Sequence, residues 1–512
     1  MNGDFGLMNK PLYSRLLSLA ALVFALQYCD SGPGTPAIRS DTAGEDSVTV
    51  FPSDDSVEHD DLGPDTHRPG ETSPLPDTGA PELPPAEPED TETNDTGVPD
   101  EPYVDVGDCL DHSLPAGTFP LLPASDLTQL HPSAAFDGQA IWLAWNSPSE
   151  SPDHGGFDVF AARVGCDGEL LVPPFRVHET DHGNDFGPRI AVSGNNVMVV
   201  WQAPGAGEGN LGIYYRTFAL DGTPRMAQEK ILTPLDAGDE DYPHGWMPDV
   251  APLPGDMFVL AAALGEDKVQ RFQTIMQRLQ ADGRPPAEDG NGAPQRTLYA
   301  HFEPQGTQLH PTVATASDGT IYVAWTSQSD TTADGTVRHT RFKPGALTAD
   351  PPRAPEASEG SDSDRAAYAV GPDAQAYLAL FEKKLPGETR IILRSGGVFD
   401  DTPVFRRFGE EGGFHHSPAV AGTHDRVGLL AWLTLRSGQH NDLTVQRFKL
   451  MPTGFNTFAQ PIMLNPAEHD NASSLSPPAL NHVGHGVFLV IWAQGSATEG
   501  FRLVGHFISP PS

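Results

Sequence analysis

The chain has 512 residues, a net charge of −38 and 50 prolines, and 38% of its residues are hydrophobic. This length allows two or three ordinary domains or one large repeat domain. The acidic charge would repel nucleic-acid phosphates, so DNA and RNA are excluded as partners.

The first 29 residues predict an export signal. Lys10 and Arg15 precede an apolar run at residues 16–26. A positive start followed by about ten apolar residues is typical of a signal peptide, and the run is too short to span a bilayer. No later segment of the sequence predicts a transmembrane helix.

The sequence ALQYCDSG at residues 25–32 resembles the lipobox of bacterial lipoproteins. Leu26 matches the family pattern, whereas Gln27 and Tyr28 replace its usual small residues. The resemblance implies that Cys29 carries a lipid and anchors the protein in the cell envelope, at a membrane or the cell surface. The alternative is ordinary signal cleavage, which would leave a soluble periplasmic or secreted protein.

Residues 30–108 predict a disordered acidic linker rich in proline and threonine. They carry 22 Asp and Glu against 2 Lys and Arg, which makes −20 of the total charge. A segment with so few large apolar residues cannot bury enough surface to offset the entropy of ordering. We expect an extended tether between the anchor and the folded part, because like charges and prolines stiffen a chain.

One phrase recurs along residues 109–512: a proline and small residues, a turn, and then an apolar strand that ends, in five of the units, in a tryptophan. An alternating third strand follows, often with an Asp-Gly turn and a fourth strand, as in antiparallel hairpins. The phrase occurs seven times. Its aromatic position is occupied by Trp145, Trp201, Ala261, Trp325, Phe381, Trp432 and Trp492.

Seven units of four short strands predict an all-β, seven-bladed β-propeller with four-stranded antiparallel blades. Small residues suit the crowded inner strands, and the repeated aromatic residue would fill the wedge between blades. Stacking in a ring buries both faces of each blade, which no blade achieves alone. A pair of β-sandwiches and an open solenoid are the alternative all-β folds.

The ends of the repeat region predict how the ring closes. The seventh unit stops after its third strand, and residues 114–125 read as a fourth strand without a unit. We expect this N-terminal strand to complete the last blade, which would remove the exposed sheet edges.

Two cysteines of the propeller predict one disulfide. Cys166 falls in the turn between the third and fourth strands of the first unit, and Cys109 falls just before the closing strand. An exported chain is in an oxidising compartment, where such a pair forms a bond. Two unrelated thiols are the alternative.

The loops that join blades emerge on one face together with the loops between second and third strands. Acidic and histidine residues concentrate in these loops, and we expect them to share one rim. The candidate metal ligands are His178, Asp181, His182, Asp185, Asp239, Asp241 and His244. Further members of the rim are His415, His416, His469 and Asp470.

Two interpretations of this rim remain open. Carboxylates and imidazoles can bind a divalent cation such as calcium or a polar ligand. The same loops can equally be solvated and polar, as loops of an acidic exported protein are. No spacing matches a zinc or EF-hand pattern, and no cofactor is otherwise expected.

The sequence SDGTIYVAW at residues 317–325 is similar to the Asp-box of sialidases, although its Asp directly follows the Ser. The tryptophan units with Asp-Gly hairpins also resemble repeats of bacterial secreted and lipoprotein β-propellers. That resemblance implies display at a cell surface or in the periplasm and the binding of a ligand or protein. We expect a monomer that binds a protein or glycan ligand at its loop-rich face. A glycoside-directed, sialidase-like hydrolase and a structural envelope scaffold are the alternatives, so whether the chain is an enzyme stays open.

Overall fold

The computed structural model describes Cys109 and, with short gaps, residues 114–510. The predicted signal peptide, the lipidation site Cys29 and the whole linker therefore lie outside the described residues. The described part is built from 28 β-strands, β1 to β28. Within it, no helix has the length and apolar character needed to cross a membrane.

Blades 1 to 3 are four-stranded antiparallel sheets whose strands follow one another along the chain. Blade 1 contains β2 (Leu130–Phe136), β3 (Ala140–Pro148), β4 (Phe157–Gly165) and β5 (Leu170–Arg176). Blade 2 contains β6 (Phe186–Ser193), β7 (Asn196–Pro204), β8 (Leu211–Ala219) and β9 (Lys230–Ile231). Blade 3 contains β10 (His244–Leu253), β11 (Met257–Glu266), β12 (Arg271–Gln280) and β13 (Leu298–Tyr299).

Blades 4 to 6 keep this plan, with variations at the fourth strand of blades 4 and 6. Blade 4 contains β14 (Thr307–Thr315), β15 (Ile321–Gln328) and β16 (Gly335–Phe342), and an isolated bridge from His339 to Arg353 occupies the fourth position. Blade 5 contains β17 (Asp362–Val370), β18 (Ala376–Leu385), β19 (Glu388–Ser395) and β20 (Val404–Phe408). Blade 6 contains β21 (Phe414–Gly422), β22 (Val427–Leu435), β23 (Asn441–Met451), and a divided fourth strand formed by β24 (Gly454–Thr457) and β25 (Ile462–Met463).

Blade 7 confirms the predicted closure, because its fourth strand comes from the N-terminal side of the domain. It contains β26 (Ala479–His482), β27 (Phe488–Ser496), β28 (Gly500–Ile508) and β1 (Thr118–Pro120). Strand β1 pairs antiparallel with β28, with Thr118 opposite His506 and Pro120 opposite Val504. The protein is therefore an all-β, seven-bladed propeller, as the repeats predict.

The apolar core is divided into seven layers, one between each pair of neighbouring blades. One of these layers joins blade 7 to blade 1, for example through Leu489 and Leu143. First strands of adjacent blades also contact one another all the way round, including β26 with β2. A solenoid or a pair of sandwiches would lack this seventh layer, so the ring is closed.

Each repeated tryptophan packs in the layer it shares with the preceding blade, as predicted. Trp201 lies against blade 1 and Trp325 lies against blade 3. The predicted strand ends were wrong, however, because the second strands continue three or four residues beyond their tryptophans. These extra residues stay paired with the third strand; Ser147, for example, lies opposite Asp158.

The repeated proline marks a β-bulge in the first strand. Pairing between first and second strands shifts register at this proline in blades 1, 2, 3, 4 and 6, and at the equivalent point of blade 5, where Ala366 replaces the proline. In five of these blades the residue before the proline has a left-handed backbone, with φ between 49° and 63°. These residues are His131, Gly187, Met247, His310 and Ser417. A bulge bends and twists a strand, so the inner strands of blades 1 to 6 are shaped alike.

The predicted disulfide between Cys109 and Cys166 is present, with a Cα–Cα distance of 5.2 Å. Cys166 lies in the turn after β4, and the backbone N–H of Cys109 donates to the carbonyl of Val483 in blade 7 at 3.4 Å. Both cysteines are buried in the layer between blades 7 and 1. The bond therefore fastens the seam at which the ring closes.

Candidate metal site between blades 1 and 2

Three of the seven predicted ligands lie together at the interface of blades 1 and 2. The donor atoms of His178, His182 and Asp185 all lie within 4.8 Å of one another. All three residues belong to the connection from β5 to β6, which emerges on the loop-rich face. Asp181, Asp239 and Asp241 lie outside the described residues, and His244 begins β10 without a described side chain.

The connection that carries these residues is fixed at both ends by strand β4. The N–H of Val177 donates to the carbonyl of Val159 at 2.9 Å, and the N–H of Asp185 donates to the carbonyl of Phe157 at 2.7 Å. A buried Arg216 of blade 2 also donates to the Val177 carbonyl at 2.8 Å. The connection is thus hydrogen-bonded to β4 at two defined points, which holds the residues between them close to both blades.

The second loop of blade 1 makes room for this connection by means of a glycine. A Cβ atom on Gly156 would lie 1.7 Å from the carbonyl oxygen of Gly183. Only a residue without a side chain allows such an approach. Gly156 therefore lets the connection pack directly over the start of β4.

His178 is 2% exposed, and the roles of its two ring nitrogens differ. Nδ1 lies 2.7 Å from the carbonyl oxygen of Thr180, which can only accept, so Nδ1 donates a proton there. Nε2 lies 3.4 Å from Asp158 Oδ1 and 3.8 Å from Asp185 Oδ2. This buried nitrogen makes no hydrogen bond.

Asp185 is fully buried and held from several sides. Its Oδ1 accepts the indole N–H of Trp201 at 2.7 Å. Its backbone carbonyl accepts Nδ2 of Asn146 at 2.6 Å, and Oδ1 of the same asparagine accepts the N–H of Gly187 at 2.9 Å. Oδ2 of Asp185 makes no hydrogen bond. One carboxylate oxygen is thus anchored and the other is left facing His178.

His182 completes the cluster from its outer side. Its Nδ1 lies 3.1 Å from Asp185 Oδ1, and its ring packs 4.3 Å from the ring of Tyr214. Its Nε2 lies 3.8 Å from Oε1 of Glu229, which precedes β9. The side chain is 11% exposed, so it separates the buried atoms from solvent.

Glu229 fixes the backbone between the two histidines. Its carboxylate accepts the N–H groups of Glu179 at 3.0 Å and Thr180 at 2.9 Å. Burial alone would raise the pKa of Glu229, but hydrogen bonds from Thr180 and Glu179 outweigh it and lower the pKa to about 2. Glu229 is ionised at neutral pH, and from its place in blade 2 it holds the connection between β5 and β6.

The charges of the cluster shift the pKa of His178 upward. Burial alone would lower this pKa, but the carboxylates of Asp158 and Asp185 and the Thr180 carbonyl raise it above its ordinary value. The pKa of Asp158 is lowered in turn, since its contacts with His178 outweigh the effect of burial. The interface therefore favours positive charge between the two aspartates.

The remaining histidines of the predicted rim do not join this cluster. His415 lies in blade 6, where Nδ1 is 2.9 Å from Thr434 Oγ1 and Nε2 is 3.3 Å from the carbonyl of Glu410. His416 is likewise within 3.2 Å of Asn441 Oδ1. His469 and Asp470 lie outside the described residues. These two described histidines have local partners within their own blade.

Several residues of the site were missed from the sequence because they are in strands. Asp158 is the second residue of β4, Trp201 is one of the repeated tryptophans of the second strands, and Tyr214 lies opposite Trp201 in β8. Nothing in the repeat distinguishes Trp201 from the other tryptophans. Its indole N–H has a carboxylate acceptor, whereas those of Trp325, Trp432 and Trp492 have no partner.

The segment that is similar to an Asp-box forms a turn. Asp318 lies between β14 and β15, on the face opposite the blade connections, and its carboxylate accepts the N–H of Thr320 at 2.8 Å and the Thr320 hydroxyl at 2.9 Å. This is the local side-chain cap that aspartate commonly supplies in turns. Its described contacts are those of a structural turn.

No protein family model matches the chain, and no curated protein matches its sequence. Among solved structures, a protein of unknown function from Dyadobacter fermentans is 12% identical, with a TM-score of 0.44, and the match covers 76% of this chain and 97% of that one. A polysaccharide lyase, an ulvan lyase of family PL25, is 9% identical with a TM-score of 0.45, covering 76% of this chain and 94% of that one.

The Hadza microbial sialidase Hz136 is also similar, at 11% identity and a TM-score of 0.41, covering 72% of this chain and 76% of the sialidase. These chains are unassigned or act on glycosides, but similarity at this level carries no argument about activity. The seven-bladed fold follows from the strand pairing itself.

Proposed function

We propose that the protein is an exported, lipid-anchored component of the cell envelope whose propeller binds a protein or glycan at its loop-rich face. The observation that carries the exported location is the disulfide between Cys109 and Cys166. Structural disulfides persist in oxidising compartments outside the cytosol. The signal-like N-terminus and the lipobox-like sequence around Cys29 support the same location.

The closed ring supports a binding role. Seven apolar layers and a covalent seam make a rigid scaffold, and the connection between blades 1 and 2 is held by hydrogen bonds at both ends. Rigid scaffolds that present polar loops on one face commonly use those loops for recognition. The chain's strong negative charge favours neutral glycans or basic protein surfaces over nucleic acids.

A glycoside hydrolase remains the alternative function, and it has less support at the described site. Hydrolysis by two carboxylates needs a space between them for a sugar. Asp158 and Asp185 instead both lie against the ring of His178, and all three residues are buried. This pair leaves no room for a glycosidic bond.

The anchor is tested on the full chain expressed in a bacterial host. We expect radiolabelled palmitate on the wild type and its membrane fraction, and loss of both in Cys29→Ser. Mass spectrometry of the mature protein should find the N-terminus at a modified Cys29. An unmodified N-terminus at another residue would show that the anchor proposal is wrong.

Binding at the loop-rich face is tested with a matched pair of charge reversals in blade 6. Glu410 is exposed in the connection before β21, and Asp425 is exposed in the turn between β21 and β22 on the opposite face. On a glycan array and on immobilised envelope proteins, we expect Glu410→Lys to weaken binding about tenfold and Asp425→Lys to leave it unchanged. Equal binding by both variants and the wild type would contradict recognition at this face.

A further inference from the structure

We propose that His178, His182 and Asp185 bind one divalent transition-metal ion of the zinc type between blades 1 and 2, with Asp158 as the neighbouring carboxylate. The proposal is independent of ligand binding at the loop-rich face and of the lipid anchor. It concerns an ion within the scaffold, because the ligands of the connection from β5 to β6 turn inward between the two blades, where His178 and Asp185 are buried.

The first argument is the orientation of the His178 ring. Because Nδ1 gives its proton to the Thr180 carbonyl, a neutral ring carries a bare lone pair at Nε2. That lone pair faces Asp158 Oδ1 at 3.4 Å and Asp185 Oδ2 at 3.8 Å. The nitrogen and the two oxygens are all hydrogen-bond acceptors, and none of them supplies a donor to the others. Buried acceptors in this arrangement require a positive species between them.

Two of the inward-facing atoms make no hydrogen bond at all. These atoms are His178 Nε2 and Asp185 Oδ2. His178 is 2% exposed and Asp185 is 0% exposed. A buried polar atom without a partner costs free energy, and proteins rarely retain one except where a ligand satisfies it. A metal ion would satisfy both atoms at once.

The spacing of the donors fits a small tetrahedral ion. Bonds of about 2.0–2.1 Å from zinc to nitrogen or oxygen place neighbouring donors about 3.3 Å apart. His178 Nε2 lies 3.8 Å from Asp185 Oδ2 and 3.4 Å from Asp158 Oδ1, and His182 Nδ1 lies 3.1 Å from Asp185 Oδ1. The donor atoms of the three ligands lie within 4.8 Å of one another, so a bound ion would draw them slightly closer. Calcium binds six to eight oxygen atoms and does not select imidazole, so the two histidines favour zinc over calcium.

The surroundings of the ligands also match those of metal sites. A metal-bound histidine usually donates its second ring nitrogen to a carbonyl, as His178 does to Thr180. Asp185 is oriented by Trp201, and Glu229 holds the backbone between the two histidines. These partners come from blade 2, whereas Asp158 comes from blade 1, so the bound ion would fasten the two blades together.

The test uses the full chain, purified without a histidine tag and stripped with a chelator, with zinc ion as the probe. In calorimetric titrations we expect one zinc ion per chain, and weaker binding of calcium. The variants Asp185→Asn and His182→Gln should lower zinc affinity about 100-fold or more. His416→Gln in blade 6 is the matched control and should bind as the wild type does.

Circular dichroism of each variant checks that it is folded, and His182→Gln is the safer substitution because His182 is the most exposed ligand. Absence of zinc binding by the wild type would overturn the proposal. Unchanged affinity in both ligand variants would overturn it equally. As a second measurement, crystals grown with zinc should give an anomalous peak within about 2.1 Å of His178 Nε2; a peak at any other place alone would disprove this site.

Discussion

The interfaces between blades 1 and 2 and between blades 4 and 5 each bury a histidine, but the charges around the two rings are opposite. His178 faces Asp158 and Asp185, which raise its pKa against the effect of burial. His339 lies 3.5 Å from Arg394 Nη1, and burial together with Arg394 and Arg353 lowers its pKa to about 3. Neighbouring charge decides the direction in which the pKa of each buried histidine shifts.

This difference decides what each interface can hold. A neutral imidazole at position 339 can accept a hydrogen bond from Arg394, so the arginine itself supplies the positive charge there. At the interface of blades 1 and 2, the charge that balances Asp158 and Asp185 must come from a protonated His178 or from a bound cation. The interface of blades 4 and 5 therefore carries its positive charge on its own arginine, whereas the interface of blades 1 and 2 depends on a proton at His178 or on a bound cation.

The disulfide seam sets the scale against which both interfaces can be compared. Cys109 and Cys166 are 57 residues apart. Closing a loop of this length lowers the entropy of the unfolded chain and stabilises the fold by about 4 kcal/mol. We expect the double variant Cys109→Ser/Cys166→Ser to lose about that much free energy of unfolding in urea titrations. A midpoint equal to that of the wild type would show that the seam is held by packing alone.

The interface of blades 4 and 5 should make the protein sensitive to acid. The unfolded state of His339 has an ordinary pKa of about 6.5, and the folded state has one of about 3. Between these values the unfolded chain binds more protons, so the free energy of unfolding falls as the pH is lowered, by about 1.4 kcal/mol per pH unit. Above the pKa of His339 in the unfolded state, this histidine is neutral in both states and no longer lowers the free energy of unfolding.

His339→Gln removes the titration and should flatten the dependence of stability on pH between about 6.5 and 4 by that amount. Urea unfolding at several pH values measures the slope. His416→Gln is the control, since it changes a histidine of another blade. Identical slopes for the wild type and His339→Gln would contradict the neutral state assigned to His339.

The sequence predicted the ring because its signal is repeated seven times. The phrase around Trp145, Trp201 and the equivalent positions reflects packing that every blade needs, and the unpaired strand at residues 114–125 left one way to complete blade 7. The same averaging hid the ends of the second strands. Pairing with the third strand, which continues past each tryptophan, determines those ends.

The cluster of His178, His182 and Asp185 was predicted only in part because it depends on contacts that the repeat does not encode. His178, His182 and Asp185 were named since they share one connection on the loop-rich face. Asp158 was missed, because an acid at the start of a third strand looks like an ordinary solvated residue. The special role of Trp201 arises from the neighbouring Asp185, which becomes visible only when blades 1 and 2 are packed together.

Trp201 and Trp325 give a matched test of the Asp185 carboxylate at the interface of blades 1 and 2. Both tryptophans are fully buried at the same position of their blades, but only Trp201 donates its indole N–H to a carboxylate. Replacement by phenylalanine removes similar ring volume in both cases. We expect Trp201→Phe to cost about 2 kcal/mol more than Trp325→Phe, because hydrogen bonds to charged groups contribute about 1.5–3 kcal/mol. Equal losses in urea unfolding would show that Asp185 does not depend on Trp201.

The smallest expected effect compares two amide side chains that cross between blades in the same way. Asn146 spans the carbonyl of Asp185 and the N–H of Gly187 at 2.6 and 2.9 Å. Gln202 spans the carbonyl of Gly245 and the N–H of Met247 at 3.1 and 3.4 Å.

Shorter hydrogen bonds in an equally buried place should contribute more, so Asn146→Ala should cost about 1 kcal/mol more than Gln202→Ala. Urea unfolding of both variants measures this difference. Zinc titration then separates two roles of Asn146. If it only joins the blades, zinc affinity stays that of the wild type; if it also orients Asp185, affinity falls about tenfold while Gln202→Ala leaves it unchanged. We expect the loss of zinc affinity in Asn146→Ala, because Asn146 holds the backbone of Asp185 itself. A larger loss of stability in Gln202→Ala than in Asn146→Ala would contradict the stronger bonding of Asn146. A loss of zinc affinity in Gln202→Ala alone would contradict the assignment of the site to the interface of blades 1 and 2.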